Sequence, residues 1–294
     1  MNAPLKWHGG KHYLAKKIVA LMPPHIHYVE PHFGGGAVLF ARDPERDWLH
    51  GHESETKSAG RLVAGERGCS EVVNDIDGDL TNFWDILKSP ALFGEFQERL
   101  RMTPLSEKEY QRASRDFWGD TKFNRAIGFF IRYRQSRQGL GEDFATLSRN
   151  RTRRGMNEQA SAWLSAIEGL PEAHERLRRV VILNQDAIGV ICKQDGLRTL
   201  FYCDPPYLQS TRTVKEAYRY EMTEADHEVL LRTLGKIKGK FQLSGYLNSL
   251  YEYHAGRNGW QRVDFDLPNN AAGGKKKRRM VESLWMNYEP TRIQ

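Results

Sequence analysis

Short runs of apolar, β-branched and aromatic residues alternate along this chain with stretches of helical periodicity. Residues 28–30, 72–74, 180–183, 199–203, 241–244, 261–266 and 283–287 predict strands. Leu14, Ile18, Leu21 and Met22 share one helical face, closed by Pro23-Pro24, and Leu80, Phe83, Trp84 and Leu87 share another. Further helices are predicted over 104–118, 122–134 and 223–237. Strands alternating with helices at this spacing imply an α/β fold with a Rossmann-like, doubly wound, mostly parallel sheet. The alternation breaks between 88 and 178, where helices with polar faces give way to an arginine-rich stretch of little periodicity. The chain thus divides into a sheet domain, 1–87 and 179–294, carrying an inserted, mainly helical domain, 88–178. The polar residues 51–70 read as a surface excursion, and 269–279 as a hairpin loop joining a Gly-Gly turn to a basic run.

Composition narrows the class. The 294 residues are long enough for a full core, with 39% hydrophobic and 28% charged residues. No apolar run approaches the roughly 20 residues that span a bilayer, and the N-terminus lacks a signal-peptide core, so a cytoplasmic protein is expected. Cys69, Cys192 and Cys203 lack CxxC spacing, which argues against a disulfide framework or a zinc site, and no metal-ligand cluster stands out. The net charge of +7 is unevenly spread. Eight arginines face only Glu142 and Asp143 between Arg125 and Arg154, and five consecutive positive charges run from Lys275 to Arg279. These two stretches exceed the whole chain's net charge, so the remainder is acidic. Concentrated basicity of this kind is the footprint of a polyanion-binding surface, although either run taken alone could be a solvated face.

Candidate chemistry gathers at strand ends. The run 199–203 stops at Asp204-Pro205-Pro206-Tyr207, where two prolines forbid its continuation and leave a carboxylate and an aromatic ring at the carboxyl edge of the sheet. Glu30-Pro31-His32-Phe33-Gly34-Gly35-Gly36 reads as a strand end and a glycine-rich turn, in which a cofactor could lie against the backbone. Glu30, Phe33, Gly34 and Gly36 are its cofactor-facing candidates. Neither GxGxxG nor a Walker P-loop fits, which weighs against dinucleotide and triphosphate sites. Asp75 follows the next strand, where an acidic side chain can accept from ribose hydroxyls; Asp75 or Asp77 could equally cap the helix that follows. Near the N-terminus, Trp7-His8-Gly9-Gly10-Lys11 forms a tight turn that would bring Trp7 and Lys11 close to a ligand, or leave them as a core anchor and a surface charge. In the insertion, arginines mix with Tyr133, Gln135 and Gln138; Arg and Gln suit bidentate base contacts, and Arg also grips phosphate. Arg132, Arg134, Arg137, Arg151 and Arg153, with Lys275, Lys276 and Lys277, are the candidate nucleic-acid-binding residues.

Taken together these segments resemble the Dam-type, D12 class, alpha-group DNA adenine-N6 methyltransferases. In that family a Trp-x-Gly-Gly-Lys segment, a Glu-Pro-Phe-x-Gly-x-Gly-like segment, an Asn-Asp or Ala-Asp strand end, a recognition insertion and Asp-Pro-Pro-Tyr occur in this order. Trp7 to Lys11, Glu30 to Gly36, Asn74-Asp75, the insertion, and Asp204 to Tyr207 follow it. His32 departs from the pattern, standing where phenylalanine is common, and 51–70 lengthens a usually shorter connection. The resemblance implies S-adenosylmethionine as cofactor, held by Trp7, Lys11, Asp75 and Asp204, with Asp186 as partner of its adenine amine. It implies double-stranded DNA as partner, with neither membrane nor metal, in the cytoplasm of a bacterial or phage-infected cell. Asp204, Pro205, Pro206 and Tyr207 would then be catalytic: the Asp204 carboxylate and the Pro205 carbonyl accept hydrogen bonds from an extruded adenine amine, and Tyr207 offers a stacking face. Cytosine-N4 or RNA-adenine methylation, protein-glutamine methylation, and a non-catalytic DNA-binding regulator of the same fold remain alternatives.

Overall fold

The structure, a computed structural model, describes residues 1–44, 68–114, 119–145, 150–212, 219–268 and 279–290. The loop residues 269–278, with Lys275 to Lys277, and most of the 51–70 excursion lie outside these. The chain forms two compact units: Met1–Lys16, Gly34–Ala41 and Asp77–Ile182 in the first, and Lys17–Phe33, Arg42–Ile76 and Leu183–Gln294 in the second.

In chain order the strands are β1 (His27–Glu30), β2 (Ser70–Asn74), β3 (Thr152–Arg153), β4 (Met156–Asn157), β5 (Val180–Leu183), β6 (Thr199–Cys203), β7 (Lys240–Gly245), β8 (Gln261–Pro268) and β9 (Arg279–Met286); β3 and β4 form a separate hairpin. The seven-stranded sheet has the order β5-β2-β1-β6-β7-β9-β8. β1 runs parallel to β2 and β6, and β6 to β7, while β9 is antiparallel to both β7 and β8. This is the mixed α/β, largely parallel sheet that the alternation of strands and helices predicts. The strand order reverses at β1 and β6, and in open α/β sheets that reversal marks the crevice where ligands bind. β6 is buried at every position, which explains its unbroken apolar sequence. Val29, Val72, Phe201, Phe241 and Leu243 from the strands pack with Leu230, Leu231 and Leu234 of α10 (Glu224–Leu234) and Tyr251 of α11 (Ser249–Asn258).

The first unit is helical. α3 (Gly78–Lys88) begins where Asp77 accepts from the Asp79 and Leu80 amides at 2.9 and 3.4 Å. α6 (Lys122–Arg134) is capped by Thr121, which accepts from the Asn124 amide. Their buried faces meet through Phe83 and Phe130, stacked at 5.8 Å, and Phe96 of α4 (Phe93–Arg101) and Trp163 of α7 (Glu158–Glu168) close on Phe130. Each such ring contributes about 1.5–3 kcal/mol through burial, and this aromatic knot is the unit's core.

Three differences from the sequence reading stand out. The arginine-rich stretch holds the β3–β4 hairpin, then α7 and α8 (Leu170–Leu177). Its strands are too short to alternate, and α7 buries small residues (Ser161, Ala166) beside Trp163 and Ile167, which mutes its apolar stripe. The helix expected over 104–118 is described as α5, Glu107–Ser114, with 115–118 outside the described residues. The other described helices, α1 (Ala15–Ala20), α2 (Ala37–Ala41) and α9 (Ala187–Gln194), are short. β8 and β9 are longer than expected, pairing from Gln261 with Met286 to Pro268 with Arg279, because cross-strand pairing carries polar positions that break the apolar pattern.

A buried ionic network braces β1 and β2. Arg42 Nη1 donates to Glu71 at 2.9 Å with both side chains fully buried, and Nη2 donates to His25 Nε2 at 2.9 Å. The guanidinium lies 3.4 Å over the Tyr28 ring. His25 therefore accepts at Nε2 and donates from Nδ1 to the Pro23 carbonyl at 2.8 Å, a neutral tautomer. Burial, then the Arg42 charge, pushes its pKa down to about 3. Arg42→Met should cost about 3–5 kcal/mol in urea unfolding, because it strands the Glu71 carboxylate in the interior, whereas joint replacement of both partners by apolar residues should recover most of the loss. Equal losses in the single and double variants would contradict this account.

Candidate active site

The candidate residues divide between the units: Trp7, Lys11, Gly34 and Gly36 belong to the first, and Glu30, Phe33, Asp75, Asp186 and Asp204–Tyr207 to the second.

In the second unit, the carboxyl ends of β1, β2 and β5 are tied by one side chain. Asn74 Nδ2 donates to the carbonyls of Pro31 and Gln185 at 3.0 and 2.9 Å, and Asn74 Oδ1 accepts from the Gln185 amide at 2.9 Å. The Phe33 amide donates to the Asn74 carbonyl at 2.8 Å, and the Asp75 amide to Leu183 at 3.3 Å. Asn184 Nδ2 then donates to the carbonyls of Asp75 and Ile76 at 2.8 and 3.1 Å, shaping the turn that presents them. Asp75 is half-buried and Ile76 is 51% exposed. Asp77, not Asp75, caps α3, which resolves the alternative left open by the sequence. Asp186 is exposed and caps α9, accepting from the Gly189 amide at 2.8 Å. Phe33 is buried.

Asp204 leaves β6 half-buried, with Pro205 and Tyr207 buried behind it. Tyr202, in β6, pairs with Ser244 of β7 at 3.0 Å and keeps the strand in register below the turn. Tyr207 is only 7% exposed; its hydroxyl donates to Glu282 of β9, and its ring meets Tyr246 edge to face at 4.8 Å. Burial, then the Glu282 and Asp204 charges, holds its phenol well above the usual range, so it remains a donor. Burial raises Glu30 to about 8, against the opposing pull of the Tyr28 hydrogen bond (2.7 Å) and Arg42, and Asp204 adds to the rise. Burial likewise lowers His32 and His227 to about 4 each; His227 Nδ1 pairs with the Tyr251 hydroxyl at 2.9 Å.

In the first unit, Trp7 lies on the glycine turn. A Cβ at Gly34 would stand 2.9 Å from the indole Nε1, and one at Gly35 would stand 2.6 Å from the Trp7 Cβ. Gly34 and Gly36 have φ of 52° and 70°, a conformation that favours glycine. Trp84 Nε1 donates to the Gly34 carbonyl at 3.3 Å, and Tyr133 backs Trp7 at 4.8 Å. Lys11 is buried, its ammonium donating to the Gly9 carbonyl at 2.8 Å.

The candidate arginines of this unit differ in their engagement. Arg132 Nε donates to the Gly141 carbonyl at 3.1 Å and Arg134 Nη2 to Ala162 at 3.0 Å, so both brace the fold. Arg137, Arg151 and Arg153 are exposed. Arg151 precedes β3 and Arg153 ends it, next to the hairpin's turn residues Arg154 and Gly155, which have φ of 55° and 73°; Arg154 is clasped by Glu168 at 2.9 and 3.0 Å. Such a turn suits a two-residue hairpin. Sequence reasoning missed Glu282, and took Asn74 only as part of the Asn74-Asp75 strand end, without a role of its own. The available signal was a polar residue closing, or interrupting, an otherwise buried strand. Among the described residues no group of three or more His, Cys, Asp or Glu could hold a metal, and no helix is long and apolar enough to cross a membrane.

The family model for the D12 class N6 adenine-specific DNA methyltransferases matches residues 61–263. The chain belongs to this family. It is an adenine-specific DNA methyltransferase, which requires a methyl donor, and membership decides for DNA adenine among the alternatives left open by the motifs. The Type II methyltransferase M.MjaIII of Methanocaldococcus jannaschii is 26% identical over 317 aligned residues, which cover 97% of this chain and 98% of that protein.

The titrating groups of the enzyme set a stability optimum. His25, His32 and His227 have folded pKa values of about 3, 4 and 4, below their ordinary 6.5, so the unfolded chain binds more protons and stability is lost as pH falls below 6.5. Glu30, raised to about 8 from 4.5, binds its proton in the folded state and loses stability as pH rises toward 8. Three histidines outweigh one carboxyl up to about pH 6.5–7, and above that Glu30 dominates. Urea midpoints should rise from pH 5 to 6.5 and fall from 7 to 8; a monotonic profile would refute this.

Proposed function

We propose that this methyltransferase uses S-adenosylmethionine to methylate N6 of an adenine extruded from a specific duplex DNA sequence. The observation that carries the reading is the position of Asp204-Pro205-Pro206-Tyr207 at the carboxyl edge of β6, in the same unit as the Asp75 and Glu30 strand ends and at the reversal of strand order.

The residues present fit the cofactor. Asp75 is half-buried beside the exposed Ile76, a carboxylate for ribose hydroxyls next to an apolar surface for a base. The glycine turn would allow close backbone approach, Trp7 and Lys11 would act with it, and Asp186 would take the adenine amine. Bound there, the cofactor supplies an electrophilic sulfonium methyl. Asp204 and the Pro205 carbonyl accept from the amine N–H groups, which draws the nitrogen toward a pyramidal form and directs its lone pair outward. The two prolines hold those acceptors in place before the base arrives, so little reorganisation is needed. In this reading the largely buried Tyr207 ring, with the half-buried Tyr246 against it, borders the place of the extruded base.

Residues 88–178 act in this reading as the target-recognition insertion, with the exposed Arg137, Arg151 and Arg153 and the basic run at Lys275, Lys276 and Lys277 contacting DNA. Phosphate contacts offset the few kcal/mol, roughly, that base extrusion costs. The chemistry asks for no metal. A cytoplasmic, DNA-associated location and a place in a restriction-modification system go with this reading, the latter supported by the likeness to a Type II methyltransferase.

Asp204→Ala should abolish incorporation of labelled methyl into DNA while leaving the circular-dichroism spectrum and DNA binding near those of the parent; parental incorporation would sink the assignment. Replacing Arg151 and Arg153 by alanine should weaken binding uniformly across sequences or relax one position of the site. In the first case the slope of log affinity against log salt becomes shallower by about 1 for each phosphate no longer neutralised. A variant that binds as the parent does at every salt concentration would exclude the hairpin from the DNA interface.

A further inference from the structure

The family membership and the proposed catalytic turn leave Glu282 unassigned. It lies in β9, at the edge of which the chain's second basic run ends with Arg279, and it interrupts the sequence Val281-Glu282-Ser283-Leu284-Trp285-Met286 with a carboxyl group that is only 4% exposed. A buried carboxyl is costly unless it is hydrogen-bonded, so its retention in the interior calls for a partner. One such partner is the hydroxyl of Tyr207. The bond spans 75 residues of sequence and joins an antiparallel strand to the turn that follows β6. Pro206 restricts the backbone before Tyr207, but the ring still turns about its own side-chain torsions. Tyr246 meets it edge to face at 4.8 Å and limits sideways motion, while the hydroxyl, at the far end of the lever, is held by Glu282.

We propose that Glu282 is a positioning residue for methyl transfer: by accepting from the Tyr207 hydroxyl it fixes the ring that closes the Asp204-Pro205 amine site. The inference rests on the assignment of that turn to the extruded adenine. An amine displaced by an ångström from its line of attack loses about a hundredfold in rate, and a swinging ring permits such displacement.

The test is a double-mutant cycle in single-turnover methyl transfer on duplex DNA carrying the enzyme's site. Glu282→Ala and Tyr207→Phe should each slow transfer by about tenfold to a hundredfold, with the KM for the methyl donor unchanged, and the double variant should be no slower than the slower single one. Glu282→Gln keeps an acceptor oxygen and should recover to within about threefold of the parent. A role in folding alone would instead lower the unfolding midpoint and leave the rate of the folded fraction intact. If Glu282→Ala does not fold, Tyr207→Phe, which preserves shape, carries the test, with Glu282→Gln as the control that keeps the acceptor. Parental rates in Tyr207→Phe, or additive losses in the double variant, would overturn the proposal. Asp204→Ala run alongside reads the underlying assignment separately: activity surviving there removes the turn's role, whereas its loss together with uncoupled Tyr207 and Glu282 removes only this proposal.

Discussion

The side-chain amide of Asn74 is the constraint on which the carboxyl edge of the sheet depends. Parallel strands end in backbone groups that the ladder no longer pairs, and a buried unpaired group costs about 1–3 kcal/mol. Asn74 meets three of them, on Pro31 and Gln185, and its backbone carbonyl receives the Phe33 amide. Because one rigid amide satisfies both neighbours, the turns after β1 and β5 cannot shift separately. Asp75, the next residue, inherits that fixed frame.

On this frame the second unit gathers carboxyl groups rather than separating them. Glu30 and Asp204 influence each other, and Glu282 and Asp204 both act on Tyr207. Crowded carboxyls in a dry setting are tolerable when one of them keeps its proton, and Glu30, raised to about 8, does so. Neutral His25, His32 and His227 complete an interior that avoids net charge even where it is polar. Apart from buried cations such as Arg42 and Lys11, positive charge is presented on exposed described residues such as Arg151 and Arg153 of the β3–β4 region.

The strand over 180–183, the strand over 199–203 and the helix over 122–134 were legible to the residue, since each has strong punctuation at one end: an asparagine after the first, an Asp-Pro-Pro turn after the second and a threonine cap before the third. The Asp-Pro-Pro-Tyr turn itself was legible for the same reason. The β3–β4 hairpin was not, because two-residue strands carry no period and its turn rests on Arg154, a residue that rarely takes positive φ. For Glu282 and Asn74 a polar residue in a buried strand marked the position but not the role, because their partners lie 75 and 111 residues away and no local pattern encodes such a hydrogen bond. The division of the arginines into two that brace backbone carbonyls and three that face solvent is likewise a tertiary fact.

Cys203 immediately precedes Asp204, fully buried in the central strand, and burial followed by the Asp204 and Glu30 charges raises its thiol far above the ordinary range. Since the thiolate is the reactive form, this sulfur is chemically inert and behaves as a small apolar filler. The enzyme thus keeps a cysteine next to the Asp204 carboxylate without coupling methyl transfer to the redox state of its surroundings; oxidants and alkylating agents would find the exposed Cys192 on α9 first.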